Sequence, residues 1–96
     1  MSTFKLEFPE DFDDYEWEVE SKGFFGNLEL QFDSQSYLIS FYDKERLMQE
    51  ISDEIESSGL FFESNLIIID SVTKANIVES IERLVKTSEI KGLKPR

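Results

Sequence analysis

The spacing of the apolar residues changes once along this chain, at Asp43, and that change restricts the fold more than any other feature. Before Asp43 apolar residues mostly alternate with polar ones; after it, outside the run at 66–69, they recur every three to four positions. Alternation places side chains on the two faces of a strand, while recurrence at three and four gathers them on one side of a helix. A chain that does both in separate stretches belongs to the α+β class, with helices laid against a sheet.

In the first stretch Tyr15, Trp17 and Val19 alternate with Glu16, Glu18 and Glu20. This predicts a strand with the aromatic residues inward and the glutamates outward. Lys22-Gly23 reads as a turn, and Leu28, Leu30 and Phe32 form one face of the next strand. Asp33-Ser34-Gln35-Ser36 is a turn-rich break. Residues 37–42 are apolar on both faces, as a central strand would be. Residues 4–8 add an edge strand that Pro9 ends, because proline has no ladder donor. Together these segments predict an antiparallel meander.

After the change, Asp43 is placed to cap a helix over 44–58, with Gly59 as its stop. Leu47, Ile51 and Ile55 make its stripe, with Met48 beside them, and Arg46, Gln49, Glu50, Asp53 and Glu56 face water. The continuous run Leu66-Ile67-Ile68-Ile69 predicts a strand covered on both faces. Thr73 caps a last helix, with Val72 and Ile77 at the two positions of a hydrophobic staple. Its buried stripe is Ile77, Ile81, Leu84 and Val85. The expected order is β-β-β-α-β-α, a mainly antiparallel sheet with two helices packed against it. The 96 residues make one domain, with an acidic segment over 1–14 and a frayed tail over 89–96. Adjacent aromatics cannot both point inward from a regular strand, so one residue of each pair, Phe24-Phe25 and Phe61-Phe62, is exposed, in a bend or in an interface, and the bend is the first expectation.

Charge narrows the function. The net charge is −11, and it is uneven. Residues 1–20 carry eight acids against Lys5 alone, residues 21–70 ten acids against three bases, and residues 71–96 three acids against six bases. Nucleic acid and anionic membrane surfaces repel such a chain, whereas a basic protein is attracted to it. The apolar runs fall far short of the roughly 20 residues that cross a bilayer. The first residues lack the basic, apolar, small-residue order of a secretory signal. With no cysteine to suggest an oxidising compartment, the expected location is the cytoplasm.

The residue inventory removes most catalytic classes. Histidine and cysteine are absent, so no nucleophile–imidazole pair and no histidine or thiolate metal site can form. No glycine-rich phosphate loop is present. Asp11 and Asp13 share the alternation of a calcium loop, but Glu16 stands where such a loop needs its turn glycine. Among 21 acids a carboxylate pair at any spacing is inevitable and says nothing about glycoside chemistry. No catalytic residue, cofactor or metal is therefore expected.

The densest surface signal is Glu10, Asp11, Asp13, Asp14 and Glu16, interleaved with Phe12, Tyr15 and Trp17. Crowded like charges oppose folding and are relieved by a partner bearing Lys and Arg, while aromatics supply interface anchors. The expected partner-binding residues are Glu10, Asp11, Asp13, Asp14, Tyr15, Glu16, Glu18 and Glu20, with Asp33 in the turn and Glu50 and Asp53 on the first helix.

Two stretches carry a family resemblance. They are Phe41-Tyr42-Asp43-Lys44-Glu45-Arg46-Leu47 entering an acidic helix, and Gly59-Leu60-Phe61-Phe62-Glu63-Ser64-Asn65-Leu66-Ile67-Ile68-Ile69-Asp70 before the last helix. Over residues 27–88 the chain resembles the small bacterial immunity proteins of contact-dependent growth inhibition and related polymorphic toxin systems. The resemblance implies a cytoplasmic monomer that binds the C-terminal domain of a cognate toxin one to one. That toxin domain would be a basic nuclease, a ribonuclease being expected, and its active site would be blocked by the acidic surface. The alternative is a small acidic interaction adaptor or secretion chaperone that binds through its exposed aromatics.

Overall fold

The computed structural model describes residues 3–96. Its elements are β1 (Phe4–Glu7), α1 (Phe12–Lys22), β2 (Phe24–Phe32), β3 (Gln35–Tyr42), α2 (Lys44–Ser58), β4 (Leu66–Ile68), α3 (Lys74–Lys86) and a 3-10 turn (Glu89–Gly92). The class is α+β. The sheet is mixed, in the order β1-β2-β3-β4, with the β1–β2 and β2–β3 pairs antiparallel and the β3–β4 pair parallel.

The expected order needs one correction. The stretch read as a first strand, residues 15–20, lies inside helix α1. Phe12, Tyr15 and Val19 recur at three and four, and they turn Phe12 and Val19 into the core with Tyr15 half-buried. Trp17, assigned inward by the alternation, is 66% exposed. Glutamate favours helices and is depleted from strands, so its repetition at 16, 18 and 20 sides with the helix. Gly23 is accordingly no hairpin turn. It is a left-handed helix cap with φ +72°, and its N–H donates to the carbonyls of Val19 and Glu20.

The meander instead consists of β1, β2 and β3, with α1 inserted between the first two. Asp33 and Ser34 both have positive φ, 52° and 64°, the requirement of a two-residue hairpin that follows the sheet twist. Leu28 and Leu30 of β2 face inward with Tyr37, Ile39 and Phe41 of β3. Phe12 and Val19 of α1, Ile77 and Ile81 of α3, and Ile90 of the 3-10 turn cover them in one cluster.

The aromatic pair Phe24-Phe25 is not a bend. Both residues lie in β2, on opposite faces: Phe25 packs against Phe8 and Phe12, and Phe24 against Tyr42. The irregularity comes just after, where the β2–β3 register shifts between Phe25 and Leu28. The Phe24 ring folds over Gly26, where a Cβ would come within 2.7 Å of it.

Helix α2 has the bounds that the sequence predicts, with the Asp43 carboxylate accepting from the Arg46 N–H at 2.8 Å and Gly59 left-handed at its end. It does not pack as expected. Only Leu47 of its stripe is buried, and every residue from 52 to 60 is exposed. Strand β4 is likewise covered less than its composition implies. It is an edge strand, paired with β3 alone, with Ile67 on the core side and Ile68 open on the other. The expected frayed tail is tied down. Ile90 is buried, the Arg96 N–H donates to the Ser36 carbonyl at 2.8 Å, and Asn65 exchanges two hydrogen bonds with the backbone of Lys94. Asn65 also donates to the Leu38 carbonyl. The acidic segment expected over 1–14 begins before the described residues and continues through β1 into the first turn of α1.

Candidate partner-binding surface

Among the described residues three surface regions combine exposed acids, large exposed apolar groups or open backbone edges in a way that could receive a partner. The first is α1 with the turn before it. Glu10, Asp11, Asp13, Asp14, Glu18 and Glu20 are exposed there, and Trp17 stands among them on the water side of the helix. Tyr15 belongs to the core side instead, its ring meeting that of Phe12 at 5.5 Å. The backbone of α1 leaves helical geometry at Tyr15 (φ −128°, ψ 15°), so the acids on either side of the kink do not form one straight row.

Glu16, one of the expected contact residues, has an internal task. Its Oε2 accepts from the backbone N–H of Lys74, at the start of α3, at 2.7 Å. A carboxylate there satisfies an unpaired donor and faces the positive end of the helix. Asp13 lies 3.8 Å from the Lys74 ammonium, and both groups are well exposed, so that pair adds little. Thr73 caps the same helix, its hydroxyl accepting from Asn76 N–H.

The second region is the start of α2, where it meets the far face of the sheet. Asp43 N–H donates to the Gly23 carbonyl at 2.9 Å, joining the end of α1 to the start of α2. A Cβ on Gly23 would fall 2.4 Å from the Asp43 carboxylate, so the close approach requires glycine as much as its φ does. Arg46 binds Glu50 through Nε and Nη2 at 2.9 and 2.7 Å, and its guanidinium lies 5.7 Å above the Phe24 ring. Below them Tyr42 is buried and donates its hydroxyl to Glu63 at 2.5 Å. Burial, then the hydrogen bond and charge of Glu63, then the charge of Glu50, push the Tyr42 phenol far above the ordinary tyrosine range; Arg46 opposes them without prevailing. Glu50 is thus engaged by Arg46, while Asp53, one turn further on, is free in solvent.

From there the apolar residues are left in water. Met48 and Ile55 on α2, then Leu60 and Phe62 in the following loop, are exposed, Phe62 to 81%. Phe61 is half-buried, so the two aromatics of this pair do separate as adjacent residues must. In the sequence the alternation of acidic and aromatic residues marks α1, whereas residues 48–62 are hidden as a surface, because a well-formed amphipathic stripe reads as core by itself. The detectable signal was the polar run Ser52, Asp53, Glu54, Glu56, Ser57 and Ser58, which leaves Ile55 isolated among water-seeking groups.

The third region is the open edge of β4. The N–H of Ile69 donates to the Tyr42 carbonyl, and the Asn65 carbonyl accepts from Ser40 N–H, so the backbone groups of Leu66 and Ile68 point away from β3. They face an open groove of about 580 Å3 between β4 and α3, whose polar lining includes Asn76, Glu79, Ser80 and Arg83. Asp33, at the tip of the β2–β3 hairpin, is exposed and belongs to none of the three regions. The expected contact residues are therefore divided: five acids on or beside α1 are free and Asp13 is loosely paired with Lys74, Glu16 and Glu50 are held internally, Tyr15 is turned inward, and Asp33 and Asp53 lie elsewhere.

Among the described residues no three carboxylates gather as a metal site would need, and no helix is long and apolar enough to cross a membrane. Comparison with protein-family models, with curated proteins and with solved structures finds no match to this chain.

Proposed function

We propose that this chain is a binding protein for a basic partner, and that it serves as an immunity protein neutralising a nuclease toxin domain. One observation carries the reading: the acids are left uncompensated. Of the 21 acids, only Glu7, Asp13, Glu29 and Glu50 have an ion-pair partner among the described residues. A field of that sign speeds encounter with a positively charged surface. A nuclease has such a surface, because it must hold phosphates. An acidic domain seated there excludes the nucleic acid by charge and by bulk. The family resemblance of residues 27–88 points to the same class, and the partner is then the C-terminal toxin domain, held one to one in the cytoplasm.

The test is co-expression with the toxin encoded immediately upstream. The expected result is a one-to-one complex without nuclease activity, with an association rate that falls about tenfold or more from low to high salt. Reversing Asp14 and Glu18 to lysine should slow association further and leave the fold intact, since both are free in solvent; Glu16 is unsuitable because it caps α3. An upstream toxin that neither binds nor is inhibited rejects the proposal.

The exposed Leu60 and Phe62 favour a second reading, an adaptor or secretion chaperone. Its complexes would be held by apolar contact and would change little with salt. The Asp14 and Glu18 reversals separate the two, because an apolar adaptor would bind its partner at an unchanged rate.

A further inference from the structure

Among the described residues, four of the six large apolar side chains left exposed, Met48, Ile55, Leu60 and Phe62, fall within fifteen residues of one another, on α2 and the loop that follows it. Helix α2 is joined to the body at its first turns only. Leu47 is buried and Ile51 half-buried, and beyond Ile51 the helix runs on in water. At 100° per residue, Ile51, Ile55 and Met48 make one continuous stripe. Glu54 borders it on one side and Glu45 and Glu56 on the other, with Lys44 at its N-terminal end.

That border decides the occupant. A second copy of this chain would bring the same carboxylates against themselves, six acids to two bases over residues 44–63 on each side, well within a Debye length. A partner helix with an apolar stripe edged by Lys and Arg meets both requirements at once, burying the stripe and neutralising its rim.

We propose that α2 and the loop bearing Leu60 and Phe62 form the docking face of this protein, and that the face takes a basic amphipathic helix of the partner. The proposal rests on the reading that the partner is a basic protein. It moves the main contact from the acids of α1, which steer the encounter, to α2, which holds the complex. Phe62 in the loop is the anchor, and Ile55 is the exposed centre of the stripe.

The experiment uses two synthetic peptides of about 18 residues, some five helical turns. One has leucine and lysine in amphipathic helical order, the other the same residues shuffled. Each is titrated into the isotopically labelled protein and followed by amide and methyl resonances. The amphipathic peptide is expected to move Met48, Ile51, Ile55, Leu60 and Phe62, and to bind at least about tenfold more tightly than the shuffled one. Ile55→Ser and Phe62→Ser should each weaken it by about tenfold with the rest of the spectrum unchanged. Three results overturn the proposal: equal binding of the shuffled peptide, shifts centred on Trp17 instead of α2, or concentration-dependent shifts at α2 without peptide, which would mark a second copy as the occupant. Because no toxin enters this experiment, its failure is distinct from a failure of the immunity reading. A toxin complex insensitive to Ile55→Ser and Phe62→Ser would sink the docking face alone.

Discussion

Helices α2 and α3 are built on the same plan and end up in opposite surroundings. Each starts at a β-conformation cap whose side chain accepts from the N–H three residues on, Asp43 to Arg46 and Thr73 to Asn76. Each carries an apolar stripe at helical spacing. Yet Ile77 and Ile81 of α3 are fully buried in the core, while Met48 and Ile55 of α2 stand in water. The difference lies in what each helix finds when it arrives. The inner face of the sheet offers Leu28, Leu30, Ile39 and Phe41, and α3 shares it with α1 and the 3-10 turn. On the far face the start of α2 sits over Phe24, which packs against Tyr42. Periodicity dictates that a helix has an apolar side; it does not dictate that the same chain covers it.

Substitutions can break or sharpen this contrast. The largest effect belongs to the packed side: Phe12→Ala should cost about 3–5 kcal/mol in urea unfolding, since it empties a ring-sized site under α1. A cost below that of an ordinary surface change would mean that α1 is not docked as described. Next is the joint between α1 and α2. Gly23→Ala should lose about 2–3 kcal/mol, from the left-handed backbone and from displacement of the Asp43 cap.

Tyr42→Phe removes the hydrogen bond to Glu63 and should cost about 1.5 kcal/mol. Its pH dependence has a definite sign. The folded phenol loses its proton at higher pH than the unfolded one, so the contribution is full below about pH 10 and declines as pH rises beyond that. Alkaline unfolding should accordingly begin earlier for the native chain than an all-phenylalanine position 42 would suggest, once the difference in starting stability is subtracted. The caps come next, Thr73→Ala and Asp43→Ala each at about 1 kcal/mol. If only Thr73→Ala is felt, α2 frays independently of the body, and the two helices differ in rigidity as well as in burial. Smallest of all, Ile55→Ser should stay within about 0.5 kcal/mol, the mark of a side chain whose removal the fold does not notice.

Much of this was legible in the chain. Asp43 and Gly59 mark the ends of α2, Thr73 and Val72 the start of α3, and Pro9 follows the edge strand β1, because caps and breakers act locally. Helix α1 was not, because Tyr15, Trp17 and Val19 satisfy the strand pattern while Phe12, Tyr15 and Val19 satisfy the helical one. Two local facts decide between them, the glutamates' preference for helix and a glycine at the cap position, and a reading by alternation weighs neither. The site residues were mixed for a related reason. Charge alone cannot tell Glu18, which is free, from Glu16, which holds the start of α3. That distinction depends on a helix 58 residues away in sequence.

The bare edge of β4 gives the acidity a second meaning. Leu66, Ile67, Ile68 and Ile69 have neither proline nor charge among them, and Leu66 and Ile68 offer their backbone groups outward. Proteins commonly guard such an edge with a lysine, a bulge or a covering loop. Here the guard is at long range, the mutual repulsion of molecules that each carry a net charge of −11. Near pH 4.3, where that charge vanishes, nothing on the strand itself keeps two edges apart. The same carboxylates that draw a basic partner are thus also what keeps the protein colloidally apart from itself.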